Sequence, residues 1–127
     1  MEGGAKIEGF DNVVSNLNKQ IAKIKGVTMA GLIKSAIVIR RDMDITPPLI
    51  PVDVGNLRGS WTVVTMYDQH GPAVLIGFTA NYAVFVHENM MAVNWNRPGS
   101  GPKFFEASIK RNSKKVLKII QENVKLD

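Results

Sequence analysis

A stretch that contains one proline and two glycines, residues 51–60, separates a helical pattern from a strand pattern and strongly constrains the fold. Pro51 fixes its own φ and keeps the residue before it extended, so no helix can continue through this point. Asp53 can accept hydrogen bonds from backbone N–H groups of a tight turn, and Gly55 can adopt a positive φ. Arg58 places a five-donor guanidinium beside that turn. The stretch therefore predicts a rigid connection between helices and strands.

The composition indicates one folded domain and excludes several classes of site. The chain has 127 residues, of which 45% are hydrophobic and 21% charged, as in ordinary globular domains. It contains no cysteine, which excludes disulfides, thiolate metal sites and cysteine nucleophiles. Its apolar runs are too short to span a membrane, and its first residues do not resemble a signal peptide. We therefore expect a single domain, residues 1–127, that is cytosolic when synthesised.

We call this connection, residues 51–60, the joint. The segment before the joint predicts two helices, or one bent helix, over about residues 11–44. We expect a short edge strand at residues 6–8 and Asp11 as the N-cap of the first helix. Apolar residues in the first helix recur every three or four positions, and this spacing ends near Gly26. Thr28 can cap a second helix. The stripes consist of Phe10, Val14, Leu17, Ile21 and Ile24 in the first helix, and Met29, Leu32, Ile33, Ala36, Ile37 and Ile39 in the second.

The segment after the joint predicts a small antiparallel sheet built on one hairpin. Residues 61–67 and 73–79 are rich in β-branched and aromatic residues, and turn-forming residues 68–72 lie between them. Residues 81–88 have a strand-like composition, but Asn81 is a good N-cap and the apolar spacing favours a short helix. The fold class predicted from these elements is α+β.

The last part of the chain predicts a long loop, residues 89–102, followed by a final helix over about residues 103–125. In the helix, one stripe contains Phe105, Ile109, Asn112, Val116, Ile120 and Val124, and Phe104, Leu117 and Ile119 widen it. Loops of this length are usually functional or mobile. Large side chains in the loop are candidate contacts for a partner protein, namely Met90, Met91, Trp95 and Arg97. Trp95 can equally pack on its own domain.

The final segment also carries most of the positive charge. Residues 103–127 contain seven basic and three acidic residues, a net charge of +4 out of the chain's +5. Such a helix can contact nucleic acid or an acidic protein surface, or simply present a solvated face. The candidates for contact with a DNA channel or an acidic surface are Lys110, Arg111, Lys114, Lys115 and Lys118.

No catalytic pattern is visible in the sequence. His87 and Glu88 lack the second histidine that a zinc-protease helix needs, and no nucleophile–base set stands out. We therefore predict no enzymatic activity, no metal and no cofactor.

Three segments in order resemble one family. They are residues 51–60, residues 81–88 (Asn-Tyr-Ala-Val-Phe-Val-His-Glu) and residues 97–107 (Arg-Pro, then Pro-Lys-Phe-Phe-Glu-Ala). The chain resembles the head–tail joining proteins of tailed bacteriophages, also called tail-completion, neck or minor capsid proteins. The residues that carry the resemblance are Pro51, Asp53, Gly55, Leu57, Arg58, Ser60, Tyr82, Glu88, Pro102 and Phe105. The chain departs from the family pattern at Val54, where threonine is usual, and around His87.

The resemblance implies a structural virion protein of the phage neck. Such a subunit would form a homo-oligomeric ring, a hexamer or alternatively a dodecamer, and would lie in the virion after assembly in the host cytoplasm. Its partners would be portal-side neck proteins, tail tube or tail terminator proteins, and, weakly, the DNA that passes through the ring. The alternative hypothesis is a small basic nucleic-acid-binding protein.

Overall fold

The computed structural model describes residues 2–50, 58–69, 71–78, 91–93 and 103–125. Helices and a mixed sheet in this part of the chain confirm the predicted α+β class. Of the predicted elements, the short helix near 81–88 lies outside the described residues. The elements are α1 (Glu2–Ala22), α2 (Met29–Ile45), a 3-10 turn (Arg58–Ser60), β1 (Trp61–Asp68), β2 (Gly71–Phe78), β3 (Met91–Val93) and α3 (Lys103–Glu122).

The first helix begins at Glu2, well before the predicted start. The edge strand predicted at residues 6–8 is therefore wrong, and Asp11 lies within α1 rather than at its N-cap. Three alternating residues cannot satisfy their backbone groups without a partner strand, whereas a helix satisfies them by bonds within the segment.

The predicted break between the two N-terminal helices is confirmed at Gly26, whose φ is +79°. Thr28 caps α2, because its side-chain oxygen accepts from the Gly31 N–H at 3.2 Å. The same hydroxyl donates to the Asn123 carbonyl at 2.5 Å. The Lys125 N–H donates to the Gly26 carbonyl at 2.7 Å. The end of the chain's last helix is thus tied to the α1–α2 connection.

Helix α2 packs against α3 in the antiparallel sense. A Cβ at Gly31 would lie 3.3 Å from the Ile120 Cα, and the Ser108 hydroxyl, near the other end of α3, donates to the Ile39 carbonyl at 2.9 Å. Leu32, Ala36, Ile39 and Met43 are buried, but Ile33 and Ile37 are 37% and 50% exposed. The apolar face predicted for this helix is therefore buried only in part, because Ile33 and Ile37 lie about 100° or more around the helix from the buried residues.

The hairpin is longer and its turn tighter than the sequence predicts. Strands β1 and β2 pair antiparallel from Trp61–Phe78 to Asp68–Gly71, which leaves two residues between the strands instead of the predicted five. Asp68, Gly71 and Pro72 thus belong to the strands. Proline is tolerated in a ladder where its missing N–H is not needed.

Strand β2 is the middle strand, because β3 pairs with it in parallel on the other side. Met91–Val93 lies in the segment predicted to be a loop, so that prediction is wrong for these three residues; the rest of 89–102 is not described. A three-residue strand has too little periodicity to be recognised alone and depends on its partner. From Ala73 to Phe78, β2 is buried.

The core lies between the sheet and the helices. The stripe predicted in α3 is confirmed for Phe105, Ile109, Asn112, Val116 and Ile120, which are all buried. The helix ends at Glu122, however, so the predicted end near residue 125 is wrong and Val124 lies beyond the helix, half-buried. Phe105 packs edge-to-face on Phe78 and Trp61, with ring centroids 5.5 and 5.9 Å apart. This aromatic cluster joins the first turn of α3 to both hairpin strands and so fixes the direction of α3.

Candidate functional site

The outer face of α3 is the candidate functional surface. Because the apolar residues of this helix recur every three or four positions, the lysines between them point away from the core. Lys110, Lys114, Lys115 and Lys118 are all exposed. Two acidic residues share the helix, namely Glu106, which is half-buried, and Glu122, which is exposed. The face therefore keeps a positive charge.

Two of these lysines border an open groove between α1 and α3. The groove has a volume of about 460 Å³ and is lined by Val13, Asn16, Lys110, Arg111, Ser113 and Lys114. Ser113 donates its hydroxyl to the Ile109 carbonyl within α3 at 2.8 Å. The lysines supply mobile ammonium donors for an anion, such as a phosphate or a carboxylate.

Arg111 differs from the lysines because its guanidinium bonds within the chain. Its Nε donates to the two Asp42 carboxylate oxygens at 3.1 and 3.3 Å, and its Nη2 contacts Asp42 as well. Its Nη1 donates to the Pro47 carbonyl at 3.5 Å. Arg111 therefore joins α3 to the end of α2, and its contact with DNA or an acidic surface stays a prediction.

The Asp42 carboxylate is held ionised by this arrangement. Burial raises the pKa of Asp42, but hydrogen bonds from Arg111, Thr46 and Ser108, together with the Arg111 charge, bring the pKa below its ordinary value. An aspartate in the last turn of a helix lies near the negative end of the helix dipole. The arginine from α3 compensates for that unfavourable position.

A buried polar network lies beside the pair. The Asn112 amide donates to the Ser108 carbonyl at 2.8 Å, and the Ser108 hydroxyl donates to Ile39 of α2. These bonds explain how an asparagine and a serine can occupy the buried face of α3. The sequence offered no signal for the Asp42–Arg111 pair, because 69 positions separate the two residues.

Only some of the remaining predicted site residues lie in the described part of the chain. Phe105 is in the core, and Met91 lies in β3. Arg58 begins the 3-10 turn, and the Ser60 carbonyl accepts from the Thr62 hydroxyl at 3.0 Å. The other residues of the joint, loop and family motif lie outside the described residues; they are Pro51, Asp53, Gly55, Leu57, Tyr82, Glu88, Met90, Trp95, Arg97 and Pro102.

Searches for other kinds of site are negative within the described ranges. Residues 2–50, 58–69, 71–78, 91–93 and 103–125 contain no group of three histidine, aspartate or glutamate side chains that could hold a metal ion. None of their helices is both long and apolar enough to cross a membrane. No family model matches the chain, and neither a curated protein nor a solved structure is significantly similar to it.

Proposed function

We propose that the chain is a structural subunit of the phage neck, which assembles into a ring that joins the DNA-filled head to the tail. The three ordered segments that resemble head–tail joining proteins support this proposal. So does the amphipathic final helix, which buries Phe105 in the core and leaves a row of lysines on the outside. That helix is the observation on which the proposal chiefly depends, because it provides one stable, basic surface.

In this proposal the lysines of α3 contact passing DNA or an acidic neighbour weakly. Lys110 and Lys114 border an open groove rather than an enclosed pocket, so their contacts with phosphates remain hydrated and screened by salt. Weak contacts suit a ring through which DNA must move. We propose no catalytic activity and no cofactor for the chain.

The test is electron microscopy of phage particles made with and without the subunit. We expect particles that lack it to fill with DNA but to carry no stable tails. Adding the purified full-length chain should restore tail attachment. Complete, infectious, tailed particles in the absence of the subunit would contradict the proposal.

The alternative, a nucleic-acid-binding protein, is favoured by the same exposed lysines. It requires submicromolar binding of duplex or single-stranded DNA with a steep salt dependence. Replacing Lys110 and Lys114 together by glutamine should then lower the slope of log K against log salt by about 1.8 for duplex DNA. The matched control is Lys23→Gln with Lys25→Gln, which removes the same charge from two exposed residues in the turn after α1. No binding at low salt would eliminate this alternative.

A further inference from the structure

The groove beside the lysines of α3 has a second wall, which α1 provides. Val13 and Asn16 line the groove from α1, and Lys110 and Lys114 are among the residues that line it from α3. Asn16 is exposed, and its side-chain amide can donate a hydrogen bond to an anion in the groove. We call this depression the α1–α3 groove.

Arg111 lines the same groove while it holds Asp42. Its hydrogen bonds to Asp42 and to the Pro47 carbonyl use three of the five N–H groups of the guanidinium. The other two can donate to an anion in the groove. Because Asp42 and Pro47 already hold the guanidinium in place, such an anion loses less affinity to the ordering of a long side chain.

The two walls carry an excess of positive charge. Residues 12–22 of α1 and the whole of α3 contain seven basic and two acidic residues, a net charge of +5. Counting Asp42, which Arg111 binds, leaves +4. The acidic residues of α3 lie at its ends, Glu106 in the first turn and Glu122 at the last position. The acidic residues of α1 all precede residue 12. The middle of each wall therefore has no carboxylate of its own.

The lysines of α3 form a row that suits a chain of phosphates. Lys110, Lys114 and Lys118 are exposed and follow one another every four residues, about 6 Å along the helix axis. One strand of duplex DNA carries a phosphate every 3.4 Å or so of its axis, so successive lysines can meet different phosphates of one strand. Glu106 lies one turn before Lys110 and offsets part of its charge.

The side chains around the groove favour DNA over a protein partner. The large apolar side chains that the described residues expose are Ile33, Ile37, Ile45, Leu49, Val63 and Tyr67. None of them belongs to α1 or α3, whereas a protein interface depends on buried apolar and aromatic anchors. Protein–DNA interfaces are more polar and much more positively charged. The described lining also contains no aromatic side chain on which the bases of a single strand could stack.

We propose that the α1–α3 groove binds the phosphate backbone of duplex DNA, with Asn16 of α1 as part of the contact. The ligand is assigned from the charges and the lining of the groove. The proposal deepens the proposed neck function and rests on it only for the source of the DNA. Because phosphates have the same chemistry in every base pair, the groove binds DNA without reading its sequence.

Paired substitutions at neighbouring positions of α1 test the second wall. Asn16→Lys places a cation in the groove, and Ser15→Lys adds the same charge at an exposed position that does not line it. We expect fluorescence anisotropy of a labelled duplex with the full-length chain to show a slope of log K against log salt that is steeper by about 0.9 for Asn16→Lys. Ser15→Lys should leave the slope nearly unchanged. Equal effects at the two positions would overturn the proposal.

The opposite charge provides an independent measurement. Asn16→Asp should weaken binding of the duplex at low salt at least about 5-fold, because its carboxylate repels phosphate and competes for Lys110 and Lys114. Ser15→Asp, with the same net charge, should have a much smaller effect. Unchanged circular dichroism would show that both variants fold. Equal weakening by the two variants, or no detectable binding of the duplex by the wild-type chain at low salt, would overturn the proposal.

Competition identifies the class of ligand. We expect unlabelled duplex to displace the labelled duplex at a lower concentration of charge than poly-L-glutamate or single-stranded DNA does. A stronger effect of poly-L-glutamate would mean that the groove suits an acidic protein, and a stronger effect of the single strand would exclude the duplex as its ligand. Either result would overturn the proposal.

The two proposals can fail separately. If Asn16 and Ser15 variants bind DNA alike but particles without the subunit lack tails, the neck function stands and the α1–α3 groove is not the DNA site. If particles without the subunit are complete but Asn16 variants still shift DNA binding as expected, the groove binds DNA in a protein with another role.

Discussion

Replacing Phe105 by alanine is the sharpest test of how the final helix is held. The side chain is fully buried and packs edge-to-face on Phe78 and Trp61. Replacing a core phenylalanine by alanine lowers the unfolding free energy by about 3–5 kcal/mol. The loss combines the transfer free energy of the removed atoms with the cost of the cavity that they leave. Because Phe78 is fully buried and Trp61 is partly buried beside Phe105, we expect a value within this range. Domains of this size have a total stability of about 5–15 kcal/mol, so the variant remains folded only with a small margin.

Urea unfolding followed by tryptophan fluorescence measures this cost. Trp61 lies 5.9 Å from the Phe105 ring, which makes it a local reporter of the cluster. The midpoint should fall while the slope m stays constant, as expected when stability alone changes. Phe105→Leu, which keeps most of the apolar volume but loses the ring contacts, should cost about 1–2 kcal/mol.

Lys115→Ala is the matched control, because Lys115 is exposed on the same helix. It should change the unfolding free energy by no more than about 0.5 kcal/mol. A cost below about 0.5 kcal/mol for Phe105→Ala would refute the argument, because it would mean that α3 does not bury this residue against the hairpin.

Two further predictions concern the connections of α2. Gly26→Ala should lower the unfolding free energy by more than about 1 kcal/mol, since the φ is positive and the new Cβ would lie 2.6 Å from the Lys125 carbonyl oxygen. An unchanged thermal midpoint would contradict this prediction. The pKa of Asp42 is lower in the folded state than in the unfolded state, where it is near 4. The ionised carboxylate therefore stabilises the fold at pH values above the unfolded-state pKa, and this stabilisation is lost as the pH falls through the folded-state pKa. The stability difference between wild type and Asp42→Asn should therefore shrink between about pH 6 and pH 2 in chemical unfolding, and a constant difference would show that the Arg111 contact does not favour the charged form.

Much of the helical architecture could be predicted because each amphipathic helix repeats its signal over several turns. The α3 stripe, the break at Gly26 and the Thr28 cap are all confirmed. Errors occurred where the signal was short or ambiguous. Residues 6–8 are part of a helix, and three residues of the predicted turn belong to the hairpin strands. At such places hydrogen bonding to neighbouring segments outweighs local preference.

The candidate surface could be predicted less completely than the fold. Exposed lysines on α3 follow from its periodicity, and the structure places Lys110, Lys114, Lys115 and Lys118 as expected. The different role of Arg111 does not follow from the sequence, because Arg111 lies between the apolar positions of the helix just as the lysines do. Only the packing of α3 against α2 brings Arg111 to Asp42.

The sequence by itself therefore predicted the local elements, namely two helices or one bent helix before the connection at residues 51–60, a hairpin after it, and a basic amphipathic helix at the end. Tertiary structure alone decided which apolar residues are covered. It buried β2 beneath the helices, added β3 in parallel, and left Val63, Tyr67, Ile33 and Ile37 exposed. The physical reason is that periodicity specifies which face of an element is apolar, whereas the placement of one element on another specifies how much of that face is removed from water.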